Sequence, residues 1–333
     1  MIKQKTRGRS GGFYSISAIL YGVGFLSIAI AIAVAMKFLE AEKLHSSFAS
    51  SQLFSQHLIS FANLLLISSA VLYACHLWIT ARAVGQLASG MATMGAMGVT
   101  VALLIRWLGT NSVHPTGHIP FSNLYDVTAL FSAATVVIYL AMEKVYRTRA
   151  AGAFVMPIVV AAILLESLLL SDDSAGPGHL APALKSYWVH AHILSNIIGY
   201  GAFAIAASLG IMYWFKEWKE RGFKTHSFAI RSFPDLERID RLMCETITLG
   251  FLAYTVGTIL GVGWSYDKSG EFWSWTRTEI SALIVWSVYL AYFYGRYMYR
   301  WRGKWTASLA LIGFGVSVFC FAGMNLFLNG RHA

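Results

Sequence analysis

Histidine and tryptophan are the residue types whose placement in this chain could support ligand chemistry. The stretch GEFWSWTRTE, residues 270–279, places Trp273 and Trp275 in a short connector between two apolar segments. His192 lies at the start of another apolar segment, and His332 is the penultimate residue. Exposing aromatic surface to water costs free energy. Lipid, the protein core or a bound ligand should therefore cover the aromatic side chains of the connector.

The elements that carry these residues are long apolar helices. The chain has 333 residues, of which 56% are hydrophobic and 13% charged, compared with about 25% charged residues in typical soluble domains. Apolar runs of about 20 residues are long enough to cross a bilayer as helices. The sequence therefore predicts an all-α polytopic membrane helix bundle with about nine transmembrane helices. The predicted spans are 13–37, 57–81, 89–108, 124–142, 153–171, 189–215, 244–264, 280–298 and 305–328.

The distribution of basic residues predicts the orientation of the bundle. With the N-terminus in the cytoplasm, most of the 26 Lys and Arg residues fall at cytoplasmic ends of the spans, as the positive-inside rule requires. The C-terminus then lies on the outer face. The net charge of +10 is explained by topology and contact with the lipid bilayer, so we expect no nucleic-acid partner.

This topology brings histidines and aromatic residues from distant segments to the outer face. His192, His332 and the 270–279 connector open there, together with His114 and His118 of another loop. Two imidazoles from different segments can bind an iron from both axial positions while tryptophans cover the ring, so haem fits this pattern. The alternative is an interfacial aromatic belt with solvated loop histidines.

Two further residues are candidates because they are ionisable and lie in apolar runs. His76, in VLYACHLWITA, is predicted away from either interface, where an ionisable group is a functional candidate. The alternative is a satisfied histidine of the bundle core. Arg106, near the outer end of the third span, could bind the carboxylate of a ligand or could extend its guanidinium to the interface.

Four stretches together resemble the CcsA/ResC family of system II cytochrome c maturation proteins, haem handlers with a tryptophan-rich outer loop. The resemblance covers about residues 55–333, which we interpret as one haem-handling domain, and leaves 1–54 as an N-terminal transmembrane extension. The stretches are GHIPFSNLYDV, LKSYWVHAHILSNIIGY, GVGWSYDKSGEFWSWTRTEISALIVW and GMNLFLNGRHA.

The resemblance implies roles for individual residues. His192 and His332 match the two outer histidines that ligate the iron of haem b in the family. His76 matches an intramembrane histidine of relatives. The tryptophan-rich loop is matched by Trp264, Gly270, Trp273, Ser274, Trp275 and Glu279.

Several positions depart from the family pattern, among them Arg277 and Thr278, which stand in place of a Pro-Lys pair. Ser269 replaces a tryptophan of the loop, and Thr276 replaces its aspartate. Tyr294 replaces an intramembrane histidine, and tyrosine can also ligate ferric haem.

The resemblance implies transport and presentation of haem across the membrane, and its attachment to CxxCH motifs of apocytochrome c. The chain would be the CcsA-type subunit of a cytochrome c haem lyase, with a separate CcsB/ResB-type membrane subunit as its partner. A bacterial inner membrane is the expected location, with the thylakoid as the alternative. Two other functions remain open: a non-catalytic haem-binding assembly or regulatory subunit, and a haem b electron-transfer protein.

Overall fold

The computed structural model describes residues 47–79, 81–113, 124–169, 187–221 and 233–322. Within these ranges the regular secondary structure is entirely helical, which confirms the predicted fold class. The helices are α1 (Ser47–Ile79), α2 (Arg82–Val113), α3 (Leu124–Tyr146), α4 (Gly152–Leu169), α5 (Tyr187–Glu220), α6 (Leu236–Ser269), α7 (Arg277–Met298) and α8 (Lys304–Ala322).

These helices correspond to the second to ninth predicted spans. Six of them are long and apolar enough to cross a membrane, and α4 is a shorter apolar helix. The chain is therefore an integral membrane protein. The first predicted span, 13–37, lies outside the described residues, so the total of nine spans stays a prediction.

The helix ends differ most from prediction at α6. The expected span was 244–264, whereas the helix runs from Leu236 to Ser269. Hydropathy marks the apolar part of a helix, but the helix itself continues until its backbone is capped. Here Gly270 adopts a left-handed conformation, with φ 75°, and its N–H donates to the carbonyl of Tyr266. This is a common way for a helix to end.

α5 lies at the centre of the bundle. It packs against α3, α4, α6 and α8, and all residues from 201 to 210 are buried. This stretch reads GAFAIAASLG, and such small residues let helix backbones approach closely. From it, Phe203 stacks on Tyr289 of α7 with ring centroids 3.5 Å apart. The helix that carries His192 is thus held from several sides.

Successive helices run in opposite directions, and buried carboxylates join neighbouring helix ends. Glu143, near the end of α3, accepts a 2.6 Å hydrogen bond from the hydroxyl of Tyr73, near the end of α1. Asp240, near the start of α6, accepts a 2.9 Å bond from Arg296, near the end of α7. These contacts lie at one end of the bundle, which also carries the turns at 147–151 and 299–303.

We call this end the basic end, because most Lys and Arg residues of the described ranges lie there. The opposite end, with the start of α5 and the connector 270–276, is called the histidine end. The basic residues of the basic end are Arg82, Lys144, Arg147, Arg149, Lys216, Lys219, Arg221, Arg238, Arg241, Arg296, Arg300, Arg302 and Lys304.

Candidate functional site

The imidazole of His192 lies in a notch formed by two glycines of α6. Its Nδ1 atom is 2.7 Å from the carbonyl oxygen of Gly257. A Cβ atom placed on Gly261 would lie only 2.7 Å from Nδ1 and 2.8 Å from Cε1 of the ring. Any residue larger than glycine at position 261 would therefore displace the imidazole. The notch holds the imidazole ring against the α6 backbone and fixes its orientation.

The contact with Gly257 determines which ring nitrogen can bind a metal. A carbonyl oxygen only accepts, so Nδ1 carries the proton and Nε2 keeps its lone pair. Asn196 lies one turn further along α5, and its Nδ2 is 3.2 Å from both Nδ1 and Nε2. An atom equidistant from the two nitrogens cannot lie on the lone-pair axis of Nε2. The Nε2 lone pair of His192 is thus left without a donor on its axis, and a carbonyl that accepts from the other nitrogen is also the usual contact that orients metal-binding histidines.

Aromatic side chains line the histidine end beside this imidazole. The ring of Trp264 is 6.1 Å from that of His192, at an interplanar angle of 35°. Lys268, one turn further along α6, places its Nζ atom 5.7 Å from the centroid of the Trp264 ring. Trp188 of α5 is 47% exposed. Trp264, the last residue of the predicted span 244–264 and a matched position of the tryptophan-rich loop, lies within α6, because the helix continues to Ser269.

The connector 270–276 presents its aromatic residues to the surroundings. Trp275 is 67% exposed, Phe272 is 62% exposed, and Trp273 is half-buried. The rings of Trp273 and Trp275 meet edge to face with centroids 5.8 Å apart. Trp275 has a left-handed backbone, with φ 53°, a conformation that costs energy for a bulky residue. Such strain is retained only where surrounding contacts enforce it.

Glu279 supplies those contacts. Its Oε2 accepts hydrogen bonds from the backbone N–H groups of Ser274, at 3.1 Å, and Thr276, at 2.9 Å. Its Oε1 accepts a 3.2 Å bond from the hydroxyl of Ser265 on α6. Thr276 is the N-cap of α7 and completes a capping box with Glu279. One carboxylate therefore ties the connector to both flanking helices.

The departure at Thr276 preserves this local structure. The threonine hydroxyl accepts a hydrogen bond from the backbone N–H of Glu279 at 3.3 Å. Aspartate and threonine are both preferred N-cap residues. Threonine can therefore begin α7 in place of the aspartate of the family pattern.

The alternative that Arg106 extends to the interface is wrong. The residue is 2% exposed, and its guanidinium forms an ion pair with Asp126 of α3. Its Nε also donates to the hydroxyl of Ser55, at 3.3 Å. An Asp126 carboxylate inside the bundle already balances the charge, which the sequence could not show because it does not give the relative rotation of α2 and α3. A direct role of Arg106 in binding a ligand stays a prediction.

The expected position of His76, away from both ends of its span, is also wrong. His76 lies in the last turn of α1, at the basic end, because α1 ends at Ile79 and α2 begins at Arg82. Its ring borders Gly85 of α2 and the side chain of Arg149. Tyr294, on α7, is also near the basic end, is 57% exposed, and contacts Tyr299 with ring centroids 5.6 Å apart. A haem-binding role of either residue stays a prediction.

His332 lies outside the described residues, as do His114, His118 and His179. The structure places the predicted site residues His192, Trp264, Trp273 and Trp275 at the histidine end. The pairing of His192 with His332 stays a prediction.

Four contributors to this site, Asn196, Gly257, Gly261 and Lys268, were not predicted from the sequence. The first three carried a signal. Gly257 and Gly261 have the small-xxx-small spacing that allows close helix packing. Asn196 follows His192 by four residues, which places both on one helix face.

Comparisons with known proteins match this chain to one family. Residues 121–332 match the family described as cytochrome c assembly protein. A protein of Guillardia theta named cytochrome c biogenesis protein CcsA is 31% identical over 260 residues, which cover 73% of this chain and 84% of the relative. No solved structure matches the chain.

Two cyanobacterial proteins with the same name are similar over comparable lengths. The Prochlorococcus marinus (strain NATL2A) protein is 30% identical over 259 residues, covering 71% of this chain and 80% of the relative. The Gloeobacter violaceus protein is 27% identical over 296 residues, covering 74% of this chain and 86% of the relative.

Proposed function

This chain belongs to the cytochrome c assembly protein family, and from that membership we propose that it presents haem at its histidine end for attachment to apocytochrome c. Its role in cytochrome c biogenesis follows from the family. The handling of haem by named residues is the proposal. Haem is here the cargo of the protein, and the side chains of α5, α6 and the connector act on it.

The observation that carries the proposal is the Nδ1 contact of His192 with the Gly257 carbonyl, at 2.7 Å. It leaves Nε2 as the basic nitrogen of a rigidly held imidazole. Histidine with one nitrogen hydrogen-bonded in this way is the common protein ligand of haem iron. The adjacent Trp264 ring supplies an apolar surface for the macrocycle.

His332 is proposed as the second axial ligand. α8 ends at Ala322, and the ring of Phe321 lies 6.0 Å from that of Tyr200 on α5. The last described residues of α8 are therefore next to the helix that carries His192. Ten further residues lead to His332, and an extended chain of that length reaches roughly 33 Å. The chain length is sufficient for the two imidazoles to meet.

The tryptophan connector is proposed to cover the bound ring and to position it for the apocytochrome. Each thiol of the CxxCH segment would add across one vinyl group of haem. The sulfur bonds to one vinyl carbon, a proton goes to the other, and no external oxidant is consumed. Trp273 and Trp275 would exclude water, and fixed positioning alone lowers barriers of this kind substantially.

The proposal includes a partner and an orientation. A CcsB/ResB-type membrane subunit would work with this chain as the second part of the synthase. The basic end would face the cytoplasm and the histidine end the outer compartment, most simply across a bacterial inner membrane, with the thylakoid as the alternative.

One observation favours a second candidate, a non-catalytic haem-binding assembly subunit. Tyr294, which replaces an intramembrane histidine of the family pattern, lies on an exposed face of α7 and contacts Tyr299. A protein without that histidine could retain the outer site and lack the transfer of haem through the membrane.

The deciding experiment measures haem content and complementation together. We expect the His192→Ala and His332→Ala variants, purified with the partner subunit, to lose haem as measured by absorption spectra. His190→Ala is the matched control, because residues two apart on a helix point in different directions. Unchanged spectra in both test variants would refute the proposed site. Haem binding without complementation of a cytochrome c maturation defect would instead favour the assembly subunit.

A further inference from the structure

The histidine end contains few cations that could pair with the carboxylates of haem. Within the described ranges its basic residues are Arg106, Lys268 and Arg277. Arg106 is 2% exposed and forms an ion pair with Asp126. Lys268 and Arg277 are both exposed. Among the described residues, Lys268 and Arg277 are therefore the exposed cations at this end.

Lys268 lies on the same face of α6 as the histidine notch. Gly257, Gly261, Trp264 and Lys268 follow one another at intervals of four, three and four residues. At 3.6 residues per turn these positions share one face of the helix. The face presents, in order, the notch for the imidazole, a flat aromatic ring and a primary ammonium group.

The distances along this face suit a ligand with a metal at its centre and acids at its edge. The Trp264 ring is 6.1 Å from the His192 ring, and the Nζ of Lys268 is 5.7 Å from the centroid of the Trp264 ring. The iron–nitrogen axis lies in the imidazole plane, which is 35° from the Trp264 plane, so a macrocycle bound through His192 would meet the Trp264 ring at a steep angle. The edge of the macrocycle that meets Trp264 would then also be near Lys268. Haem carries two propionate carboxylates on one edge, and an ammonium group is a natural partner for them.

We propose that Lys268 binds a propionate carboxylate of haem held by His192, and so sets the in-plane orientation of the ring. This inference rests on the proposed function. Its consequence is that the vinyl edge, opposite the propionates, turns away from α6 and toward the approaching apocytochrome.

Arg277 is the competing cation. It is the first residue of α7 and follows the connector at Thr276, whereas Lys268 directly overlies the ring that borders His192. The acidic neighbours of Lys268 are Asp267 and Glu271, and Glu271 already accepts a hydrogen bond from Ser274. These acids reduce the local positive potential, so the effect of Lys268 should be moderate.

The test compares haem with its dimethyl ester, in which both carboxylates are blocked. Both ligands are titrated into the chain purified with its partner subunit, and binding is followed by absorption and by quenching of tryptophan fluorescence. Lys268→Gln should weaken haem binding about five-fold and leave binding of the ester unchanged, while Lys268→Arg should retain most of the affinity. Lys304→Gln is the matched control, because Lys304 also overlies a tryptophan ring, Trp305, at 5.9 Å, but at the basic end.

Each alternative result has a distinct meaning. Equal losses for haem and ester in Lys268→Gln would overturn the inference, since they would show an effect through Trp264 packing. If Arg277→Gln weakened binding of haem but not of the ester, while Lys268→Gln left both affinities unchanged, the inference would be overturned in favour of Arg277. Failure of the unaltered protein to bind haem or ester would refute the proposed function itself.

Discussion

The Nδ1 atom of His192 and the carbonyl oxygen of Gly257 are 2.7 Å apart, although 65 residues separate them in the chain. The close approach is possible because α5 and α6 pack tightly and Gly261 leaves room for the ring. A carbonyl in the middle of a helix is an unusual acceptor for a side chain, because it already accepts the backbone hydrogen bond of the residue four positions later. The arrangement uses the backbone of one helix to orient the side chain of another.

Filling the notch at Gly261 should disturb the orientation of the His192 imidazole without replacing the histidine. In Gly261→Ala, the new Cβ would lie 2.7 Å from Nδ1 of His192, so the ring must move. We expect haem affinity to fall about 10- to 100-fold, as when a supporting contact of a metal ligand is lost. Haem titration of the purified protein measures this. Gly315→Ala, where a Cβ would meet nothing within 4 Å, controls for the substitution itself. Equal haem affinity in both variants would contradict the role of Gly261 in orienting His192.

Removing the Glu279 carboxylate should release the connector. Glu279→Ala removes the acceptor of the Ser274 and Thr276 N–H groups and of the Ser265 hydroxyl, at a cost of about 1 kcal/mol for the cap. Hydrogen exchange of the Ser274 and Thr276 amides should accelerate, because these two amides lose their acceptor. Glu279→Gln can still form a capping box and should exchange more slowly than Glu279→Ala. Unchanged exchange in the alanine variant would show that other contacts hold the connector.

The substitution of threonine for aspartate at the N-cap of α7 should be nearly neutral. Thr276→Asp keeps a side-chain acceptor for the backbone N–H of Glu279, so we expect stability to change by less than about 0.5 kcal/mol. Thr276→Val keeps the shape but removes the acceptor and should cost about 1 kcal/mol. Reversible unfolding in mixed micelles compares the two. Equal stability of both variants would argue against a capping role of Thr276.

Breaking the Arg106–Asp126 pair should destabilise the bundle more than it weakens haem binding. Arg106→Met leaves a buried carboxylate without its cation and should cost about 3–5 kcal/mol. The double variant Arg106→Met, Asp126→Leu should recover much of this, because neither charge is then buried alone. Unfolding in mixed micelles gives the stability, and titration gives the haem affinity. A variant that folds normally but loses haem would instead assign Arg106 to the ligand.

Much of the membrane architecture could be predicted from local composition. Six helices of the described ranges are long and apolar enough to cross a membrane, and such segments are predictable because one that crosses lipid must be long, apolar and internally hydrogen-bonded. The helix ends were less predictable. α6 extends to Ser269 because capping by Gly270, rather than hydropathy, decides where it stops. The same extension places Trp264, the last residue of the predicted span, more than one turn before the end of α6.

The sequence by itself determined that this is a helical membrane protein with an imidazole and several tryptophans at one end, since those features follow from apolar length and residue order. It also carried the motif blocks that identify the family. Only the tertiary structure decided that His192 meets Gly257, that Arg106 meets Asp126, and that Lys268 overlies Trp264. Such contacts depend on the rotation and register of packed helices, which arise from many weak packing interactions between residues far apart in the chain.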